Sequence, residues 1–410
     1  MKRLLSSLSP SFSRWKKLEI SLDGPQDELL QIAKLKDEGG RTPFNGVEQL
    51  SLRVKLRHEH LVLPGDSQRK VQALLSELGL NCNVRLHKLG LYFQHSITLH
   101  TEFLRLTQLI PCNQLEMLDL QGLYLPDEGC EISIDILPSI LQACPKLVVF
   151  KANVGFPHSP TMQSDPTSRI ALDGLKHASL FFRNWKDDRI LDFIARCDWP
   201  SLSSLYLRKH DPSHNSIYLL SALVDRLSSM LTSLRLSSYS ISRQTLMDLV
   251  FALPTLVQLH LEHPALSLAY EGEEDFDPYD ECLAQEEAFD DTVITHLTPK
   301  PDGTPHALPL LQFLKWERNT EFTDKALAHL LQQRLASPYS PVPMKQVHIV
   351  FGRAIQHDIL PICSKLIDAG LDLRLKYPPS LDGFVGESAY WKTEPIQPLD
   401  MDYRILGWDQ

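Results

Sequence analysis

The sequence predicts an α/β solenoid: a leucine-rich-repeat horseshoe with a parallel sheet on its concave side and helices on its convex side. Three observations carry this. A Leu-x-x-Leu-x-Leu pattern, clearest in Leu256-Val-Gln-Leu259-His-Leu261, recurs from Trp15, Val47, Leu86, Leu115, Leu147, Leu175, Leu202, Leu231, Leu256, Leu311 and Met344, with other apolar residues replacing Leu in places. A shortened copy follows at Leu371-Asp-Leu373-Arg-Leu375. The start-to-start spacings run from 25 to 39 residues, apart from one of 55, which is the length of a strand, a turn and a helix stacked on the next such unit. Between the motifs, apolar residues adopt helical spacing.

Each motif is a strand because apolar and polar residues alternate within it: Leu259 and Leu261 fall on one face, His260 and Glu262 on the other. The helices follow. Residues 26–37 carry Leu29, Leu30, Ala33 and Leu35 and stop at Gly39-Gly40; residues 68–78 place Val71, Leu74, Leu75 and Leu78 on one stripe before Gly79. Residues 101–110, 137–143, 188–196, 217–230, 242–252, 324–334 and 358–369 take the same place in later units. Pro111, Pro145, Pro200, Pro254, Pro309 and Pro343 stand just before strand motifs, where a missing N–H does little harm. Asn or Cys, the usual third residue past the last Leu of such a motif, occurs only as Asn319; Asp23, Lys55, Gln94, Leu123, His210 and Tyr239 hold other such positions. A ladder of buried amides is therefore not expected, nor is uniform curvature.

The organisation follows from these units. Residues 1–263 are leucine-rich repeats, the first starting at about 13; 264–308 are an acidic insertion within a repeat; 309–376 are C-terminal repeats; and 377–410 form a cap or tail. Within the insertion, residues 271–291 contain eleven Asp or Glu and no Lys or Arg, so this stretch is self-repelling and solvated. A helix over 281–297, with Leu283, Ala284, Phe289 and Val293 inward, is expected to cover its unit.

Composition narrows the function. A net charge of -10 and a pI near 5.9 lack the basic stripe of a dedicated nucleic-acid binder. No apolar run reaches the length of a membrane span, and the first ten residues are too polar after Leu5 for a secretory signal. Seven cysteines without a Cys-x-x-Cys point to neither a disulfide framework nor a zinc site. The expected location is cytoplasmic or nuclear. Gly-x-Ser-x-Gly, Walker-type, dinucleotide and His-Glu-x-x-His motifs are all missing. His58-Glu59-His60 lacks a third ligand at a recognisable spacing, and Asp275-Phe-Asp277-Pro-Tyr-Asp280 lacks the Gly and Glu of a calcium loop. No catalytic residue, cofactor or metal ligand is assigned, and the chain reads as a non-enzyme.

What remains is surface. Residues between the strand leucines point into the concavity: Glu19, Gly90, Tyr92, Asp119, Gln121, Lys151, Tyr206, Arg208, Arg235, His260, Glu262, Lys315, Glu317 and His348. Aromatic and Arg anchors dominate interface energies, so the candidate partner-binding set is Tyr206, Arg208, Arg235, His260, Glu262, Asp119, Lys151 and Lys315. Alternatively, these are simply the solvated polar face that any half-buried strand has. On the binding reading, changing Tyr206, Arg208 and Arg235 to Ala leaves folding intact and abolishes partner binding.

Ser13-Arg14-Trp15-Lys-Lys-Leu18-Glu-Ile20, and Pro-x-Leu-x-x-Leu-x-Leu at Pro200 and Pro254 with a looser copy at Pro145, resemble the repeat half of fungal F-box-type leucine-rich-repeat proteins. The resemblance covers roughly residues 9–376. It implies that the repeats hold a substrate for a cullin-RING ubiquitin ligase, while an F-box docks the adaptor subunit. The family's order puts the F-box ahead of Ser9, so the cullin-RING adaptor is a partner only if a longer form carries one. The expected function is a non-catalytic protein–protein interaction module binding a protein partner on its concave face. The alternative is a stand-alone leucine-rich-repeat scaffold unrelated to ubiquitin.

Overall fold

The computed structural model describes residues 15–23, 44, 46–55, 76, 78, 80, 83–94, 98–99, 109–121, 131–155, 169–182, 188–209, 230–237, 243–262, 289–300, 306–317, 320–336, 342–351 and 353–377. Its strands are β1 (Lys17–Asp23), β2 (Gln49–Lys55), β3 (Lys88–Gln94), β4 (Thr98–Leu99), β5 (Met117–Leu120), β6 (Glu131–Ser133), β7 (Val149–Gly155) and β8 (Ile170–Ala171). They continue with β9 (His177–Phe182), β10 (Cys197–Asp198), β11 (Ser204–Lys209), β12 (Ser233–Ser237), β13 (Gln258–Glu262), β14 (Phe313–Glu317), β15 (Gln346–Val350) and β16 (Asp372–Lys376). Every one of the eleven full motifs yields a strand that begins two residues past the motif's first apolar residue.

These strands form a fourteen-stranded parallel α/β sheet whose main path is β1-β2-β3-β5-β7-β9-β11-β12-β13-β14-β15-β16, with β4 and β6 paired beside β7. Each strand on the path neighbours the next in sequence, so the architecture is solenoid-like. The register never slips: Leu50, Leu89, Leu118, Phe150, Ala178, Leu205, Leu234, Leu259, Leu314, Val347 and Leu373 form one continuous row. A one-residue slip would turn every leucine of a strand to the wrong face. The carbonyl ahead of each strand holds the next one in step: Lys176 O accepts from Ser203 N and Ser204 N, Ser203 O from Thr232 N and Ser233 N, and Thr232 O from Val257 N and Gln258 N.

Side chains ahead of the strands bind the backbone between units, in place of the absent amide ladder. Asn83 donates to the carbonyls of Phe44 and Val47, and Gln114 to those of Asn83 and Leu86. Later, Thr255 donates to Leu231 O, and the buried Arg334 donates to the carbonyls of Leu297, Ala307 and Leu308. Different residue types thus satisfy buried carbonyls that would otherwise cost free energy.

The described helices are α1 (Leu137–Ala143), α2 (Asp188–Arg196), α3 (Arg243–Ala252), α4 (Asp291–Leu297), α5 (Asp324–Ala336) and α6 (Leu360–Asp368). Pro138 and Pro361 sit in the first turns of α1 and α6, where proline fits. The expected 281–297 helix is corrected at its start. Phe289 is fully buried and pairs with Thr320 in a β-bridge, and the Asp290 side chain then accepts from Thr292 N as the cap of α4. An extended, paired Phe289 cannot belong to a helix. The expected helices at 26–37, most of 68–78, 101–108 and 217–229, His58–His60, the acidic residues 271–288 and the tail after Tyr377 lie outside the described residues.

Helix residues such as Ile140, Phe193, Leu249, Val293, Leu327 and Cys363 share one apolar cluster with the strand leucines, running from Phe44 to Leu371. The helices therefore back the leucine face of the sheet. Towards the C-terminus the cluster is threaded by edge-on aromatic pairs, Phe289–Trp316, Trp316–Phe322 and Phe322–Phe351, and ends with Tyr377 stacked on Phe351. Leu234 lies mid-row at 3% exposure. Leu234→Ala is expected to lower the unfolding free energy by about 2–5 kcal/mol, because the flanking strands are pinned and the void cannot close. Urea denaturation measures this. Among the described residues no helix is long and apolar enough to cross a membrane.

Candidate functional site

The zero-slip register stacks the other sheet face as strictly as the leucines. Position five of each motif forms one row: Glu19, Ser51, Gly90, Asp119, Lys151, Ser179, Tyr206, Arg235, His260, Lys315, His348 and Arg374. Two residues further along each strand a second row includes Phe181, Arg208, Ser237, Glu262, Glu317 and Val350. Over β11 to β15 these rows bring six of the eight expected site residues together: Tyr206, Arg208, Arg235, His260, Glu262 and Lys315.

Glu262 and Glu317 are register partners on adjacent strands. Two carboxylates so placed repel each other, and cations surround them. Arg235 donates from Nε and Nη2 to Glu262 Oε2 at 3.0 and 2.9 Å, while the Tyr206 hydroxyl donates to Oε1 at 2.9 Å. The same guanidinium lies over the Tyr206 ring, 4.3 Å from its centroid. Lys315 Nζ pairs with Glu317 Oε2 at 2.9 Å. His260 Nε2 sits between the two acids, 3.1 Å from Glu317 Oε2 and 3.4 Å from Glu262 Oε2. His348 presents Nδ1 to Glu317 Oε1 at 4.0 Å, too far for a hydrogen bond, and that nitrogen is buried without a partner.

The face is less solvated than a free polar strand surface: Tyr206, Arg235 and Lys315 stay half-buried. Arg208, His260, Glu262 and His348 are 3–8% exposed. Strands about 4.8 Å apart make long side chains lie across one another, so each covers its neighbour. Burial by itself would raise Glu262, but the charges of Arg235, His260 and Arg208 outweigh it and hold the carboxyl down to about 2. Glu317 is likewise held to about 2: burial opposes, and the hydrogen bonds from His260 and Lys315 together with their charges win. Burial lowers His260, and takes His348 down to about 4.

These shifts set a pH window. A histidine whose folded-state value is depressed resists protonation only when folded, so its penalty appears as pH falls from 6.5 towards about 4. The two glutamates then lose their contribution as pH falls from 4.5 towards about 2. This cluster's contribution to stability should fall continuously on acidification from pH 7, by at most about 1.4 kcal/mol per pH unit for one such histidine. His348→Asn should flatten the slope between pH 6.5 and 4, measured by urea denaturation at each pH.

Asp119 and Lys151 do not join this cluster. They are register partners on β5 and β7 and form a separate group with Tyr92, whose hydroxyl donates to Asp119 Oδ2 at 2.9 Å. Burial raises the Asp119 carboxyl, against the charge of Lys151 and hydrogen bonds from Gln121 N and Tyr92. Glu317 and His348 belong to the main cluster yet fell outside the narrower candidate set. The signal was present: Glu317 occupies the motif position of Glu262, and His348 that of His260. The donor atoms of His260, Glu262 and Glu317 lie within 4.8 Å of one another, the arrangement that can hold a metal ion.

No protein-family model and no curated protein matches this chain.

Proposed function

We propose that the chain is a non-catalytic protein–protein interaction module, a leucine-rich-repeat solenoid that takes its partner on the sheet face opposite the helices. The observation that supports this most is the pre-ordered cluster over β11 to β15, in which Tyr206, Arg235 and Lys315 are held in place by buried glutamates. Side chains already ordered in the free protein lose little entropy on binding. Beside the cluster, Ser204, Ser233, Gln258, Phe313 and Gln346 form a half-exposed row on the same face. In a horseshoe this face is the concave one, and a partner segment laid across the strands would meet both rows. The resemblance to fungal F-box-type proteins makes substrate recognition for a cullin-RING ubiquitin ligase the specific role proposed.

The test places a photo-crosslinking residue at Ser233 or Gln258 on this face, or at the exposed Phe251 or Ile362 on the helices, and irradiates the full chain in extract from its own cells. The expected result is one discrete adduct from the sheet positions and none from the helices. Adducts arising only from the helical side would overturn the reading. Recovery of the cullin-linked adaptor with the adduct supports the ligase role; its absence with a discrete partner leaves a stand-alone scaffold.

A further inference from the structure

We propose that His260, Glu262 and Glu317 form a binding site for a divalent transition-metal ion, with His348 as a fourth donor. This stands apart from partner binding and concerns the isolated chain. His260 Nε2 lies 3.1 Å from Glu317 Oε2 and 3.4 Å from Glu262 Oε2, and all three donor atoms fall within 4.8 Å. Donors bound about 2.0–2.2 Å from one ion stand roughly 3.0–3.6 Å from each other, so the nitrogen is at ligand spacing from both oxygens; the Nε2–H that bonds Glu317 in the metal-free protein shifts to Nδ1 of the same ring when Nε2 takes the metal.

A second observation, on a different residue, points the same way. His348 is 8% exposed, and its Nδ1 faces the other oxygen of Glu317 across 4.0 Å with no hydrogen-bond partner. A buried polar atom left so costs free energy, and an ion beside Glu317 would supply the missing interaction after a change of rotamer. Two imidazoles and two carboxylates suit zinc, cobalt, nickel or manganese; calcium and magnesium prefer oxygen alone.

The same oxygens have competitors. Arg235 holds Glu262 Oε2 and Lys315 holds Glu317 Oε2. The ion displaces the Lys315 ammonium, whose side chain is 21% exposed and free to swing to water. This competition yields a prediction that a collection of surface histidines does not share: removing a cation strengthens binding of a cation.

The experiment titrates cobalt(II) and zinc(II) into the chelator-treated full chain, by calorimetry and by the visible absorption of bound cobalt. One equivalent is expected to bind saturably. His260→Ala and Glu317→Gln should each weaken it by more than the roughly 10–100-fold that loss of an outer-shell partner costs, and His348→Ala by less. Lys315→Met should tighten it at least about tenfold. Circular dichroism on Glu317→Gln, which keeps the side-chain volume, shows whether a loss reflects the fold. Absence of saturable binding, binding unchanged in both ligand variants, or no tightening in Lys315→Met would each overturn the site; the second outcome would assign the metal to others of the chain's sixteen histidines.

Discussion

Asp324→Ala is expected to lower the unfolding free energy by about 3–5 kcal/mol, the cost of breaking a buried ion pair from one side. Asp324 opens α5 and is fully buried. Its carboxylate accepts from Arg353 Nη1 and Nη2 at 3.3 and 3.0 Å, from the Tyr377 hydroxyl at 2.7 Å, and from the amides of Gln356 and His357 at 2.8 and 2.9 Å. One side chain thereby joins α5 to the turn after β15 and to the residue after β16. Without it the 14%-exposed Arg353 loses its counter-ion and two backbone amides lose their acceptor. Burial by itself would raise the carboxyl, but these hydrogen bonds outweigh it and hold it below the usual range. A depressed carboxylate stabilises above its unfolded value, and that contribution disappears as pH falls through the folded one. Urea denaturation of Asp324→Ala, of Arg353→Met and of the double variant is the check. The double variant should be less destabilised than the sum of the two, since the second change removes the stranded charge. Full additivity would show that the contacts act independently.

The pair Tyr206→Ala with Arg235→Ala is expected to destabilise the fold by about 3–5 kcal/mol, because it strips a 3%-exposed Glu262 of a hydroxyl donor and of the guanidinium nearest its oxygens. This corrects the expectation that alanine at Tyr206, Arg208 and Arg235 leaves folding intact. Such a variant would lose a partner for structural reasons and so report nothing about binding. Adding Glu262→Gln should restore most of the stability by removing the buried charge that has lost Arg235, as read from urea midpoints. A Tyr206, Arg235 variant as stable as the parent would mean that water reaches Glu262 freely.

Much of the fold was legible in the residues. The leucine spacing placed each full-motif strand, which starts two residues past the motif's first apolar residue whatever its length, since alternation over five or six positions permits only one burial phase. Helices over 137–143 and 188–196 match α1 and α2 in full, where apolar spacing is followed by Pro145 or Pro200. The start of α4 was misplaced because Phe289 and Leu283 both satisfy a helical stripe, and only the bridge to Thr320 excludes Phe289 from it. Likewise, the sequence lacked the Asn ladder but not its function: Asn83, Gln114 and Arg334 do comparable work from positions no motif marks.

The site divides along the same line. Which residues share the polar face follows from the two-residue period of a strand, and that property is local. Which of them touch depends on strand neighbours 25 to 55 residues apart and on a register without slips. The sequence by itself determined a parallel α/β stack and the polarity of its open face. Only the tertiary structure decided that Glu262 and Glu317 stand side by side, that Arg235, His260 and Lys315 close over them, and that Asp119 and Lys151 lie elsewhere. Electrostatic coupling acts over a few ångströms, and distances that short between residues this far apart in the chain exist only once the sheet has formed.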